Sequence, residues 1–208
     1  MKAIAETKKN SQKRNFTQAI DLILALQDID LKRPENRINE LVELPHPSKS
    51  EVRIIVIASG DLALRAEKAG ADMILKREDI ERFVSDKKGA KKLARDTDFF
   101  LAETTLMATV GKVLGPMLGP RGKMPTPVPP IAPIDTIIER FRKTVRVRIR
   151  DQLNLQVSVG TEVMDDEMIA DNVQAVVAVL ERKMERGQRN IRSAYIKTTM
   201  GSPVKIER

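Results

Sequence analysis

The stretch Val52-Arg-Ile-Ile-Val-Ile-Ala58 decides the fold of this chain. Its apolar residues are interrupted only by Arg53, which is typical of a strand buried on both faces of a parallel sheet. Gly60-Asp61 follows and is predicted to begin a helix that runs to about Gly70. A second short apolar strand is expected at Met73–Leu75. Strands that alternate with helices in this way indicate a parallel, Rossmann-like α/β unit.

The same alternation continues toward the C-terminus. Further helices are predicted at 78–84, at 87–95, from near Thr104 and at 134–143, with a strand at 99–102. Val145, Val147 and Ile149 alternate with Arg146, Arg148 and Arg150, a period of two that predicts another strand. An arginine stripe of this kind is either a solvated strand edge that blocks pairing or a track for phosphates.

The flanking segments mix strands with amphipathic helices. The predicted helices are a loose one at 2–13, one at 15–26 with Asn15 and Gln18 as a capping box, and one opened by Asp165–Glu167 and ended by Gly187. Capping explains those three acidic residues better than a metal site does. The buried stripe of that last helix is expected at Ile169, Val173, Val176, Val177, Leu180 and Met184. Strands are predicted at 37–44, 155–159, 191–198 and 204–206.

Composition limits the classes of function. The 208 residues carry a formal charge of +8, so an acidic partner is expected, with nucleic acid favoured over an anionic membrane surface. There is no cysteine, and His46 is the one histidine, so a thiol nucleophile, a multi-histidine metal site and a catalytic triad are all disfavoured. No cofactor and no metal are predicted. No secretory signal or membrane-spanning run is recognised, and a cytoplasmic protein is expected.

Charge is unevenly divided along the chain. Residues 48–151 hold 21 Lys and Arg against 14 Asp and Glu, a net +7, while the flanks hold 16 against 15, a net +1. Charge alone therefore places a nucleic acid on the central block. A cluster of exposed basic side chains is expected at Lys87, Lys88, Lys91, Lys92 and Arg95. It forms either a solvated helix face or an RNA contact.

The segment Leu114–Pro130 holds six of the 11 prolines and three of the 10 glycines. No helix or central strand is expected to run through it, because proline lacks the backbone donor and fixes φ. It is not a P-loop, since Met124 follows Lys123 where Ser or Thr is required. The alternatives are an anion-binding loop, an interdomain latch, a proline-rich ligand and a packed structural loop.

Four motifs resemble the large-subunit ribosomal protein L-one family, the protein of the mobile ribosomal stalk. They are Arg14-Asn-Phe-Thr-Gln18, Leu44-Pro-His46, Leu118-Gly-Pro-Arg-Gly-Lys-Met-Pro125 and Thr198-Thr-Met-Gly-Ser-Pro203. Their order matches the family from near residue 10 to the C-terminus. Lys123 with its proline-rich continuation resembles the archaeal branch.

The resemblance implies an α/β protein of two domains joined by two linkers, near Pro47 and near Asp151. Domain I is a split α+β domain formed by residues 1–47 and 152–208, and it carries the main RNA contacts. Domain II is an inserted Rossmann-like α/β domain at 48–151. The implied function is non-catalytic: the protein binds ribosomal RNA of the stalk and helps deacylated exit-site tRNA to leave. It also represses translation by binding its own messenger RNA. A ribosome-bound cytoplasmic protein that is monomeric outside the ribosome is expected.

The resemblance also assigns site residues. RNA contacts are implied at Phe16, Asp21, Ser193, Thr199, Met200, Gly201 and Ser202, where Ser202 stands in place of the family's usual proline. A secondary RNA or interdomain contact is implied at Gly119, Arg121, Gly122, Lys123 and Met124. Read by themselves, Thr199–Pro203 favour an ordinary hairpin turn over an RNA contact, and Phe16 favours a core residue at the start of a helix. The low aromatic content of 3% favours folded RNA over single strands as the ligand.

Two other classes of function remain as alternatives. A nucleotide-dependent enzyme would use the α/β block, although Ser59-Gly60-Asp61 offers only one glycine of the Gly-x-Gly-x-x-Gly pattern. A peripheral membrane protein would need a basic helix with an apolar, aromatic-anchored face. A rise in melting temperature with ATP or NAD tests the first alternative, and liposome pelleting tests the second.

Overall fold

The computed structural model describes residues 2–31, 33, 38–49, 51–149 and 152–206. The predicted loop at 31–36 lies partly outside these residues. Three further predicted positions lie wholly outside them: Arg37 of the predicted strand, Arg150 of the arginine stripe and the linker residue Asp151. The chain forms two compact units, of which unit 1 is built from residues 1–50 and 143–208 and unit 2 from residues 51–142. The predicted α/β class is confirmed.

Unit 1 is built on an antiparallel sheet with the strand order β10-β9-β1-β8. Its strands are β1 (Ala19–Leu26), β8 (Asn154–Thr161), β9 (Ile191–Thr198) and β10 (Val204–Ile206). The buried face of β1, made of Ile20, Leu22, Leu24 and Leu26, packs in one core with residues of α1 (Lys2–Lys9) and α8 (Asp166–Lys183). This packing leaves the other face of the sheet for polar side chains.

The predicted helix at 15–26 is wrong, and its capping box with it. Every second residue of β1 is buried, so the segment has the period of a strand. Ala19 and Ile23 are apolar but lie on the other, half-buried face, and they supplied the false helical spacing. The segment forms a strand and not a helix because it pairs with β8 on one side and with β9 on the other.

The predicted stripe of α8 is confirmed in part. Ile169, Val176 and Leu180 are buried, but the helix ends at Lys183 and not at Gly187, which begins a 3-10 turn. Asn172 is buried among these apolar residues. Its amide accepts a hydrogen bond from the His46 backbone nitrogen (3.0 Å) and donates to the carbonyls of His46 (3.0 Å) and Val159 (2.7 Å). A buried amide satisfied in this way fixes the backbone at His46.

A two-stranded sheet completes unit 1. It pairs β2 (Asn39–Glu43) with β7 (Thr144–Arg148), and Leu41 lies opposite Arg146. Burial lowers the pKa of the Arg146 guanidinium from its usual value, and the nearby positive charge of Arg148 lowers it further. The arginine stripe therefore belongs to unit 1, whereas the sequence placed it in the inserted block at 48–151.

The position of β7 changes the division of charge. Unit 2, residues 51–142, holds 16 Lys and Arg against 13 Asp and Glu, a net +3. Unit 1 holds 21 against 16, a net +5. The larger surplus thus lies on unit 1, which reverses the conclusion drawn from charge along the sequence.

Unit 2 contains a parallel sheet with the strand order β4-β3-β5-β6. Its strands are β3 (Ile54–Ile57), β4 (Met73–Leu75), β5 (Phe99–Glu103) and β6 (Thr126–Val128). Its helices are α2 (Gly60–Lys68), α3 (Arg77–Arg82), α4 (Lys87–Asp96), α5 (Met107–Val113), α6 (Gly115–Leu118) and α7 (Ile134–Arg142). All four residues of β3 are buried, as the uninterrupted apolar run predicts.

The proline-rich segment is more regular than predicted. It contains the single-turn helix α6 and the strand β6, where a loop was expected. Pro116 fits the first turn of α6, where its missing donor costs nothing, and Pro127 is tolerated because β6 lies at the edge of the sheet. The expectation that no central strand crosses this segment is confirmed.

Candidate functional site

In unit 1, the turn between β9 and β10 meets the segment that leads into β1. Thr199 makes the first link: its backbone nitrogen donates to the Ala19 carbonyl (2.9 Å), and its hydroxyl accepts from the Ala19 nitrogen (3.1 Å). The segment 11–18 enters β1 without helical structure. Two stretches about 180 residues apart in sequence are therefore joined at one end of the sheet.

Gln18 is the centre of this junction and was missed as a site residue. Gln18 is 1% exposed, and its amide nitrogen, which has two N–H donors, lies within hydrogen-bond distance of three acceptors: Ser11 Oγ (2.8 Å), the Gln12 carbonyl (2.9 Å) and Glu162 Oε2 (3.2 Å). Its oxygen accepts from the Met200 backbone nitrogen (3.2 Å). One buried amide thus holds three segments together. No local pattern reveals it, because its partners are distant in sequence.

Gly201 allows the turn to close tightly. A Cβ built on Gly201 would lie 2.3 Å from Thr198 Oγ1, a distance at which something must shift. Thr198 is fully buried, and its hydroxyl contacts Ser11 Oγ at 3.2 Å. A glycine can be required for a positive φ or for the close approach of neighbouring atoms. Gly201 is not among the residues with positive φ, so close approach is its role here.

Phe16 and Met200 are the exposed apolar side chains of this region. Phe16 is 52% exposed and Met200 is 61% exposed, so Phe16 is not a core residue. We call the group Phe16, Thr199, Met200, Gly201 and Ser202 the turn site. The Thr199 and Met200 backbone nitrogens donate hydrogen bonds to Ala19 and Gln18, and the apolar side chains of the site are exposed. Such an arrangement suits contact with a partner.

Asp21 and Ser193 lie beyond the turn site on the half-buried face of the sheet. Asp21 is opposite Lys197, and Ser193 is opposite Ala25, so the two predicted residues share a face but stand roughly 13 Å apart along the strand. Asp21 accepts a hydrogen bond from Gln156 Nε2 (3.0 Å). Tyr195 lies between them on the same face and was not predicted.

Comparison with known proteins decides the family. Residues 7–202 match the model of the ribosomal protein L1p/L10e family. The chain belongs to this ribosomal protein family. It is 46% identical to the large ribosomal subunit protein uL1 of Methanothermobacter thermautotrophicus over 99% of this chain and 97% of that protein. It is 48% identical to the uL1 of Thermofilum pendens over 95% and 87%, and 47% identical to that of Methanothermococcus thermolithotrophicus over 100% and 97%. The predicted resemblance to archaeal members is confirmed.

The residues of the implied secondary contact, 119–124 in the motif Leu118–Pro125, lie in unit 2 and are not part of the turn site. Gly122 has a φ of +71°, which favours glycine, and Arg121 donates to the Met117 carbonyl. Lys123 Nζ donates to the carbonyls of Ala94, Arg95 and Thr97 at the end of α4. An ammonium group there satisfies terminal carbonyls and complements the helix dipole. Lys123 thus joins the loop to α4, while Met124 is 43% exposed. RNA contact by this loop stays a prediction.

The crevice at the carboxyl ends of β3 and β5 is where a nucleotide would bind if this protein were the nucleotide-dependent enzyme considered above. In open α/β sheets this crevice is where nucleotides bind. Here the carboxylate of Glu103 accepts hydrogen bonds from Ser59 N (3.1 Å), Ser59 Oγ (3.0 Å) and Thr105 Oγ1 (2.6 Å). The Thr105 bond, with those from Ser59, lowers the pKa of Glu103 against the opposing effect of burial. A fixed negative charge at this position opposes phosphate binding.

Glu103 also predicts a pH dependence for unit 2. Because the folded pKa is lowered, this carboxylate stabilises the fold above its ordinary value of about 4.3, and the contribution is lost as pH falls through the lower folded value. Glu103→Gln is expected to destabilise unit 2 by roughly 1–3 kcal/mol at pH 7. Hydrogen exchange of β3 at pH 7 and below pH 4 measures this. A difference from wild type that does not shrink in acid would contradict the assignment.

Two features are absent from the described part of the chain: a cluster of metal ligands and a membrane-spanning helix. Among those residues, no group of three or more His, Cys, Asp or Glu side chains could hold a metal ion. Likewise, none of the described helices has both the length and the apolarity to cross a membrane. Asp165 precedes α8 without a side-chain cap, and Asp166 forms an ion pair with Lys8 at 2.6 Å.

Proposed function

We propose that this protein is a constituent of the large ribosomal subunit that binds ribosomal RNA of the stalk through the turn site of unit 1. The observation that carries the proposal is the exposed pair Phe16 and Met200 beside a turn whose backbone is fixed by Gln18. The relatives named above, which are large ribosomal subunit proteins, support it. A cytoplasmic, ribosome-bound and non-catalytic protein is consistent with this function.

The turn site is suited to the shape of a folded RNA. Folded RNA displays ribose hydroxyls and phosphates along a shallow groove, and proteins recognise it largely through these groups. Met200 offers a flexible apolar surface for a ribose or base, and the exposed Ser202 offers a hydroxyl. The Thr199 hydroxyl is already bonded to Ala19, so its main contribution is to hold the turn in position.

Charge supplies affinity around this site. Unit 1 has a net charge of +5, and Lys13 and Arg14 are exposed in the segment that carries Phe16. Cations near an RNA contact phosphates and raise affinity without reading sequence. Specificity is therefore expected from the turn site, and salt-dependent affinity from the surrounding cations.

The finer functions are also proposals. The family resemblance implies assistance to exit-site tRNA release and repression of the protein's own messenger RNA. A site that recognises RNA by shape would accept a messenger structure that reproduces the ribosomal one. The two RNAs should then compete for the same residues. Competition binding with the labelled stalk fragment and the unlabelled messenger leader measures this, and simultaneous binding of both would contradict it.

Met200→Ala tests the site without disturbing the fold. Because Met200 is largely exposed, its truncation should change the free energy of unfolding by less than about 0.5 kcal/mol. Affinity for the stalk RNA fragment is expected to fall by about tenfold, or about 1.4 kcal/mol. Filter binding or fluorescence anisotropy measures the dissociation constant.

Met168→Ala is the matched control, because Met168 is also an exposed methionine but belongs to helix α8 and not to the turn site. It should leave the dissociation constant for the stalk fragment within about twofold of the wild-type value, or about 0.4 kcal/mol. If both methionine variants bind as wild type does, the turn site is not the RNA contact.

A further inference from the structure

Helix α4 in unit 2 carries an exposed face of four lysines. Lys87, Lys88, Lys91 and Lys92 are all exposed, while Ala90 and Ala94 on the opposite side are buried. Among the residues that the structure describes, none of these four ammonium groups forms an ion pair or a hydrogen bond. The nearest acidic residues are otherwise engaged: Asp86 caps Gly89 at 2.8 Å, and Asp96 pairs with Arg95 at 3.0 Å.

This pattern does not stabilise the helix. Lysines four residues apart repel one another on a helix surface, and two such pairs occur here, Lys87 with Lys91 and Lys88 with Lys92. Lys87 and Lys88 also occupy the first turn, where the helix dipole disfavours cations, and the single carboxylate of the N-cap Asp86 offsets the two charges only in part. An anionic partner would remove both costs.

A cavity lies directly beside the lysine face. Its volume is about 680 Å³, within the range of ligand-binding pockets. Lys92 and Leu93 of α4 form one wall, and Ile55, Met73 and Phe83 supply apolar surface. Arg53 stands at its edge with an exposed side chain. The lining also holds the carboxylates of Glu51, Asp72 and Asp96, so it is mixed in character. An aromatic ring and a guanidinium suit a planar base, which stacks on both kinds of group.

We infer that the lysine face of α4 and this cavity form a second RNA-binding surface. Phosphates of a single-stranded stretch lie against the lysines, and one unstacked base enters the cavity. The inference rests on the proposed function, since it assumes an RNA partner. An acidic protein segment is the less suited occupant, because its apolar anchor would leave the Arg53 guanidinium in the cavity without a partner. Asp72 accepts from Ile54 N but retains further acceptor sites for a base edge.

The first test compares two quadruple variants of the full chain. Both carry Met200→Ala, so that the turn site contributes little. One adds Lys87→Gln, Lys88→Gln and Lys91→Gln; the other adds Lys68→Gln, Lys76→Gln and Lys112→Gln, which remove the same charge from exposed positions elsewhere in unit 2. Fluorescence anisotropy with a labelled adenosine ribodecamer, over a salt series, gives the dissociation constants.

The lysine-face variant should bind the decamer at least tenfold more weakly than its Met200→Ala parent. The slope of log Kd against log salt concentration should fall by about 2, because three phosphate contacts are lost and each contributes about 0.7 to that slope. The control variant should lose no more than threefold. Equal losses of affinity in the two variants would overturn the inference, because they would show that the general positive charge of unit 2, and not the lysine face of α4, attracts the RNA. This comparison remains valid if the turn site fails its own test with the stalk fragment.

The second test examines the cavity. Arg53→Gln should weaken binding of the decamer at least threefold and leave binding of an abasic ribodecamer unchanged. The abasic probe should also bind wild-type protein more weakly than the base-containing one. Equal binding of the two probes to wild type, or a deca-glutamate peptide that binds as tightly as the decamer, would overturn the inference.

Discussion

A Gly201→Ala variant is expected to lose at least tenfold in affinity for the stalk RNA, or about 1.4 kcal/mol. The added methyl group would stand 2.3 Å from Thr198 Oγ1, and Thr198 cannot rotate away freely because it is buried and β-branched. The turn must shift, and Met200 shifts with it. Overpacking of this kind also costs about 1–3 kcal/mol of stability. The dissociation constant and a urea unfolding curve measure the two effects.

A second substitution identifies the cause of the Gly201 effect. Thr198→Ala removes the oxygen that the new methyl group would meet, so Gly201→Ala combined with Thr198→Ala should recover affinity relative to Gly201→Ala alone. Gly111→Ala is the control, because nothing lies within 4 Å of a Cβ at that helical position. If the double variant binds no better than the single one, the collision with Thr198 is not the cause.

Gln18→Leu is expected to have the largest effect on stability, roughly 2–4 kcal/mol. The leucine removes the hydrogen bonds of the buried Gln18 amide and leaves partly buried partners unsatisfied, among them Glu162 Oε2 and the Met200 nitrogen. The stalk RNA should bind more weakly as well, since the turn loses its anchor. Tyr195 is the one tyrosine, and there is no tryptophan, so tyrosine fluorescence in urea reports the unfolding of unit 1 alone.

Gln12→Leu provides the matched control for this prediction. Gln12 is exposed and lies six residues from Gln18, so the same substitution there should shift stability by less than about 0.5 kcal/mol. Equal unfolding midpoints for the two variants would contradict the role of Gln18 as the centre of the junction.

Most elements of unit 2 could be predicted because their signals are local; α6 and β6 of the proline-rich segment are the exceptions. The apolar run of β3, the glycine and aspartate after it and the short apolar strand β4 each identify themselves within a few residues. The strand β1 could not be identified, because apolar residues on both of its faces imitate a helical spacing. Only its pairing with β8 and β9 distinguishes the two structures.

The unit boundary and the site depend on contacts between distant residues. β7 pairs with β2 about a hundred residues earlier, which moves the arginine stripe into unit 1 and changes the charge balance. Gln18 is likewise joined to Glu162 and Met200 by tertiary contacts alone. Family motifs identified Phe16 and residues 199–202 as site residues. Gln18 is the last residue of the motif Arg14–Gln18, but that motif did not indicate its role as the link between them.

The central claim is that unit 1 recognises a specific folded RNA. The most direct measurement is the dissociation constant of the wild-type protein for the ribosomal stalk RNA fragment and for an unrelated structured RNA of equal length, across a salt series. A large preference for the stalk fragment that survives raised salt is the predicted result, because contacts of the turn site do not depend on counterion release. Equal affinities that fall together with salt would contradict it and leave only the general attraction of a protein with a charge of +8.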